Sequence, residues 1–154
     1  SNIRRNSPLC LDSKIHHANL INNILAKIEA NYAGVDDAVM LDLDGFVAET
    51  NATNIFMIKN GVVITPYPKA CLPGITRGLI IEICKNNNIP IVEQDISVTE
   101  LYNADEVFTT GTMGELARVN EIDNRKIENK GGVLMQLQSL FRKLTEVEGE
   151  KLPF

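Results

Sequence analysis

Pro73-Gly74-Ile75-Thr76-Arg77 is the most informative segment of the chain. The Pro-Gly pair breaks whatever precedes it. Ile75, Leu79, Ile80 and Ile83 then recur at helical spacing, so a helix is expected over residues 74–88. The first amides of a helix have no intrahelical partner, and the aligned peptide dipoles make that end partially positive. A glycine lets an anion approach the backbone, and Thr76 adds a hydroxyl donor, so the stretch reads as a phosphate cradle. An ordinary helix start is written with the same letters, and so short a pattern does not separate the two.

On the amino-terminal side, Leu20, Ile21, Ile24, Leu25, Ile28 and Ala30 recur at helical spacing within residues 18–32, and Gly34 stands where a helix stop is expected. The periodicity predicts an amphipathic helix there. Residues 38–43 read as a strand, and Asp44-Gly45 as a hairpin turn into a strand over 46–49. Asn60-Gly61 gives a second hairpin between 55–58 and 62–65. Beyond the cradle helix come strands at 90–94 and 106–109, a helical turn at 97–103, and a closing helix at 133–146. Residues 3–12, broken by Pro8, read as an irregular lead-in ending in a strand edge. Hairpins mixed with helices give an α/β fold of the α+β type, with a largely antiparallel sheet or pseudo-barrel and packed helices.

The 154 residues are a one-domain length, long enough for a real core. With 20 acidic against 15 basic side chains the net charge is −5, which argues against a nucleic-acid or acidic-membrane surface. No basic run is longer than Arg4-Arg5. No apolar run reaches membrane-spanning length, and there is no signal-peptide pattern. Cys10, Cys71 and Cys84 are an odd count without ligand spacing, as expected of reduced thiols in a cytoplasmic protein. Adjacent His16 and His17 on a strand would face opposite ways, so no metal site is expected. Ser1-Asn2 reads as a cloning remnant, and a piece of a longer protein is expected.

Read together, the segments 19–26, Asp44-Gly45 with 49–56, Thr65-Pro66, 74–77, 104–108 and 110–112 resemble, in this order, class IV (fold-type IV) pyridoxal-phosphate enzymes. That family contains branched-chain aminotransferases, D-amino-acid aminotransferases and aminodeoxychorismate lyase. The resemblance runs from about Arg4 to Leu144 and matches the carboxy-terminal large domain of a two-domain enzyme, with residues 1–154 as one domain. It implies pyridoxal 5′-phosphate as cofactor, an amino acid and a 2-oxo acid as substrates, and a homodimer in the full-length form. Glu49 matches the family glutamate that pairs with the ring nitrogen. Ile75 and Thr76 match the amides and hydroxyl that hold the 5′-phosphate, and Gly111 and Thr112 the second phosphate loop. Arg77, Asp105 and Glu106 are expected to be structural.

The family's Schiff-base lysine stands three or four residues before the asparagine matched here by Asn19. Three before Asn19 is His16, and Lys14 is five before. Either Lys14 is the amine after a short insertion, or His16 replaces it. An imidazole moves protons near neutral pH but has no primary amine. On an extended segment Lys14 and His16 would share a face. The leading function is aminotransferase. The alternatives are an aminodeoxychorismate-lyase-like enzyme, a relative that binds cofactor or phosphate without catalysis, and an assembly domain using the fold alone. Leu20, where branched-chain enzymes often carry tyrosine, leans away from that subgroup.

Overall fold

The computed structural model describes residues 1–15 and 18–148. In chain order the elements are α1 (Ile21–Ala33), β1 (Val39–Leu41), β2 (Val47–Thr50), β3 (Asn54–Lys59), β4 (Val62–Thr65), α2 (Ile75–Asn86), β5 (Ile91–Glu93), α3 (Val98–Tyr102), β6 (Glu106–Gly111), β7 (Glu115–Arg118), β8 (Glu121–Ile122), β9 (Arg125–Lys126) and α4 (Val133–Glu148).

Strand alternation builds the centre. Along β3, Ile55 and Met57 face one way and Phe56 and Ile58 the other, and all four are buried. A strand apolar on both faces needs cover on both. On the Phe56 side, α2 contributes Ile80, Ile83 and Cys84, and α4 contributes Leu134, Leu137 and Phe141. Phe56 stacks on Phe108 of β6 with ring centroids 4.9 Å apart. The other face is covered by Val47, Ile96, Leu101, Ile122 and Ile127. The five-stranded sheet has the order β5-β4-β3-β6-β7. Its neighbours are antiparallel except β4 and β5. Mixed architecture with a largely antiparallel sheet is therefore what forms.

Asn60 and Gly61 have φ of 51° and 77°, the left-handed pair that a tight hairpin needs. The Asp44-Gly45 turn is wider than that. Asp42 Oδ1 accepts from the amides of Asp44 and Phe46, and a bulge lies between Met40 and Leu41. Asp42, rather than Asp44-Gly45 alone, shapes the connection. Residues 3–12 form no strand; Arg5 N–H donates to Leu41 O at 2.9 Å and the chain then turns at 8–10. β7, β8 and β9 carry too few apolar residues to register as strands in the sequence. The helical turn at 97–103 narrows to α3, held by a capping box between Ser97 and Glu100.

α1 forms and ends at Gly34, which has φ 69°. Of the expected apolar face only Ala30 is buried. Ala26 and Ala30 pack against Ala38 and Met40, while Ile21, Ile24, Leu25, Ile28 and Tyr32 stand exposed. Small residues allow the close approach to β1, and the large apolar stripe faces outward.

Candidate active site

Glu49 is placed by β2, whose partner β1 pairs Met40 opposite it. Its carboxylate is buried. Oε1 takes a salt bridge from Arg5 Nη2 at 3.0 Å, and Oε2 accepts from Asn54 Nδ2 at 3.1 Å. Burial pushes the carboxyl up to about 7, against the downward pull of Arg5 and of the Leu72 backbone. Desolvation wins over the ion pair, so Glu49 titrates near neutral pH.

Asn54 carries the geometry onward. Its Nδ2 also donates to Leu72 O at 2.8 Å, and its Oδ1 lies where a side chain on Gly74 would go. Gly74 precedes the first turn of α2 with φ −60° and ψ 148°, a backbone open to any residue. Glycine is needed there for space and not for conformation: a Cβ would sit well under 3.0 Å from Asn54 Oδ1. No side chain caps α2, and its first turn holds no acidic residue. The amides of Ile75 and Thr76 therefore form a partly positive, open helix end. The Ile75 side chain is 82% exposed, so its contribution is its backbone.

The second loop comes from β6. Asn54 pairs with Thr110 across the β3–β6 ladder, which brings Gly111 to the same end of the sheet as the start of α2. A Cβ on Gly111 would lie 3.1 Å from Thr53 Cγ2, so this loop also packs against the turn between β2 and β3. Thr112 is exposed in the turn that follows. Thr110 Oγ1 is buried with no hydrogen-bond partner among the described residues. One turn thus touches the carboxylate, the helix start and the second loop.

Lys14 is not gathered into this group. Residues 13–15 turn, with Ile15 N–H donating to Asp12 O, so the segment is not extended at Lys14 and the shared-face argument lapses there. The Lys14 amine is half exposed and pairs with Asp12 at 3.5 Å. His16 lies outside the described residues. Arg77 is buried and bonds Glu93 and Pro66 O, a structural role. Asp105 bonds Lys59 Nζ and the Asn60 amide. Glu106 is fully buried and accepts from the amides of Val133 and Leu134, closing the start of α4 from a distant strand. The sequence reading missed Arg5, Asn23 and Asn54 as parts of the site. Asn54 stands inside the quoted 49–56 stretch, but its partners come from other segments. Arg5 showed as half of an unremarkable basic pair.

The pattern of the family described as amino-transferase class IV matches residues 1–122. The chain is 59% identical over 152 residues to the Arabidopsis thaliana branched-chain-amino-acid aminotransferase-like protein 2, covering 97% of this chain and 27% of that one. Among solved structures, a branched-chain aminotransferase from Thermoproteus uzoniensis with norvaline superposes with TM-score 0.91 at 33% identity, covering 97% of this chain and 51% of that one. The branched-chain amino acid aminotransferase from Thermobaculum terrenum in PLP-form gives 0.89 at 31% identity, covering 94% and 48%. The chain thus spans about half or less of the proteins it matches.

Proposed function

The chain belongs to the amino-transferase class IV family, and on that premise we propose that it forms the cofactor-binding wall of a pyridoxal-5′-phosphate-dependent aminotransferase. The reaction is exchange of an amino group between an amino acid and a 2-oxo acid. One observation carries the reading: a single asparagine, Asn54, ties the buried carboxylate of Glu49 to the uncapped start of α2. A ring nitrogen and a phosphate on one small molecule need these two features side by side.

The residues present fit such a group. Thr110 Oγ1 is a buried hydroxyl without a hydrogen-bond partner among the described residues. Gly74 and Gly111 keep side chains out of both loops. When bound, the cofactor supplies an electron sink for charge developing at the substrate α-carbon. Ionised Glu49 accepts the ring N–H and balances its positive charge. The amides of Ile75 and Thr76, the Thr76 hydroxyl, and Gly111 with Thr112 receive the phosphate. Lys14 is the candidate for covalent attachment and for moving the α-proton, which requires release of its ion pair with Asp12. With His16 in that role the imidazole carries a proton but attaches nothing.

The names of the relatives support a branched-chain amino acid as donor. The outward apolar stripe of α1 supports association with a second subunit in the full-length enzyme. The free thiols Cys10, Cys71 and Cys84 support a cytoplasmic location. Among the described residues no helix is long and apolar enough to cross a membrane.

The test is borohydride trapping with pyridoxal 5′-phosphate followed by peptide mapping. A phosphopyridoxyl adduct on Lys14, lost in Glu49→Ala and Thr76→Ala, would establish Lys14 as the attachment point. Labels scattered over surface lysines and insensitive to either substitution would count against Lys14. The exposed Lys14–Asp12 pair favours one second reading, non-covalent cofactor binding with His16 in the lysine position. Saturable pyridoxal-phosphate binding without a Lys14 adduct would support it.

A further inference from the structure

Arg5 stands in the irregular lead-in before α1, yet it is 4% exposed. All three faces of its guanidinium are engaged. Nε donates to Ala70 O at 2.9 Å, Nη1 to Asn23 Oδ1, and Nη2 meets Glu49 Oε1 at 3.0 Å. Asn23 is itself fixed, its Nδ2 donating to Asn51 O at 2.9 Å. Asn51 in turn exchanges backbone and side-chain bonds with Ala38. The planar fork is therefore held between α1, the loop before α2, and β2. Neighbouring Arg4 donates to Ser1 O at the surface.

A buried ion pair is costly unless further hydrogen bonds support it, and here each guanidinium nitrogen has a partner. On the anion's side Arg5 meets Oε1, Asn54 donates to Oε2, and the Leu72 backbone amide also draws on the carboxylate. A carboxylate offers about four lone-pair sites, so capacity is left for a further donor. We propose that Arg5 is the positioning residue for Glu49: it favours the ionised carboxylate against burial and turns it so that its remaining lone-pair capacity meets the ring nitrogen. The proposal rests on the cofactor reading given above.

The other charged or titratable groups nearby do not substitute for it. Cys71, from the loop before α2, is buried with its thiol pushed up to about 12 and stays neutral. Arg77, from α2, is committed to Glu93. Without Arg5, burial would leave Glu49 a neutral acid, which donates a proton where it must accept one. A neutral carboxyl cannot balance a protonated ring.

The test uses the 154-residue chain with carbon-13 NMR of the glutamate carboxyls, Glu49 being assigned by its loss in Glu49→Gln. Arg5→Gln is expected to raise the Glu49 midpoint by about one pH unit or more, the size of effect a nearby opposite charge has. Arg5→Lys keeps the charge and is expected to hold the midpoint within about half a unit of the wild type. In parallel, the absorbance of bound pyridoxamine 5′-phosphate is followed against pH. The ring nitrogen should lose its proton at lower pH in Arg5→Gln and at the wild-type pH in Arg5→Lys. A folded Arg5→Gln with an unmoved Glu49 midpoint overturns the proposal, and so does Arg5→Lys shifting as far as Arg5→Gln. Should Arg5→Gln not fold, Arg5→Lys decides through its own midpoint. If Glu49 moves as expected but the wild type binds no pyridoxamine 5′-phosphate, Arg5's hold on Glu49 stands and the cofactor reading fails.

Discussion

Gly74→Ala is the substitution whose outcome the site geometry constrains most tightly. The backbone at Gly74 suits any residue, so the new methyl matters through what it meets: Asn54 Oδ1, well under 3.0 Å away, with Cγ at 3.5 Å. Asn54 is 7% exposed and held through Nδ2 by Glu49 Oε2 and Leu72 O, so it cannot swing aside without losing both. A lost neutral hydrogen bond costs about 1 kcal/mol and one to a charged group about 1.5–3 kcal/mol. Two backbone effects accompany the change, loss of a favoured glycine at the helix N-cap and a stiffer unfolded chain. Each is about 1 kcal/mol or less, and they oppose one another. The net expectation is a loss of about 3 kcal/mol, or roughly 6–12 °C in Tm for a chain of this size. The assay is urea unfolding of the wild type, Gly74→Ala, Asn54→Ala and the double variant. In the Asn54→Ala background the methyl enters vacated space, so Gly74→Ala should there cost less than about 1 kcal/mol, a coupling of about 2 kcal/mol. Equal costs in both backgrounds, or a stabilised single variant, would refute the reasoning.

Glu49, buried with its midpoint raised from near 4.5 to about 7, stabilises the fold most below pH 4.5, and that contribution is lost as pH rises through 7. Between pH 5 and 8 the wild type should lose about 3 kcal/mol relative to Glu49→Gln, read from urea melts at both pH values; a pH-independent difference would contradict the assignment. Glu106→Ala strands the Val133 and Leu134 amides at the start of α4 and should cost about 3 kcal/mol in thermal unfolding, whereas a cost below about 1 kcal/mol would show the cap to be dispensable. The two faces of α1 give a paired test: Ala26→Leu should overpack and cost about 1–3 kcal/mol, while Ile24→Gln, half exposed, should stay within about 0.5–1 kcal/mol. The opposite ranking of urea midpoints would mean that α1 is turned the other way.

The sequence made legible the parts written in local pattern. The β3–β4 hairpin follows from Asn60-Gly61, and the cradle helix from Pro73-Gly74 with its apolar spacing. The structural roles of Arg77, Asp105 and Glu106 were expected, and each has a specific partner. Parts set by distant contacts were not legible. α1 has a strong helical period, but period alone does not say which face meets the protein. The buried face uses Ala26 and Ala30 because β1 comes close, and the large side chains face out. Gly74 was read as leaving room for an anion; the room it leaves is first for Asn54, whose partner Leu72 is 18 residues away. Arg5 reaches Glu49 from the opposite end of the segment, and no local signal separates it from Arg4. The same holds for subgroup: Leu20 leaned away from the branched-chain enzymes, yet the relatives matched carry branched-chain names, so one residue beside the site does not decide it.

Glu49, the start of α2 and the Gly111 loop are proposed to hold one phosphate-bearing ring. Amide shift mapping by NMR during titration with pyridoxamine 5′-phosphate tests this most directly, because that ligand needs no lysine to bind. Saturable shifts at Ile75, Thr76, Gly111 and Thr112, together with movement around Glu49, are the expected result, with inorganic phosphate reproducing only those at the two loops. Shifts confined to a distant surface, such as the cleft between Lys59 and Lys126, or an unresponsive Glu49 beside responding phosphate loops, would contradict the account.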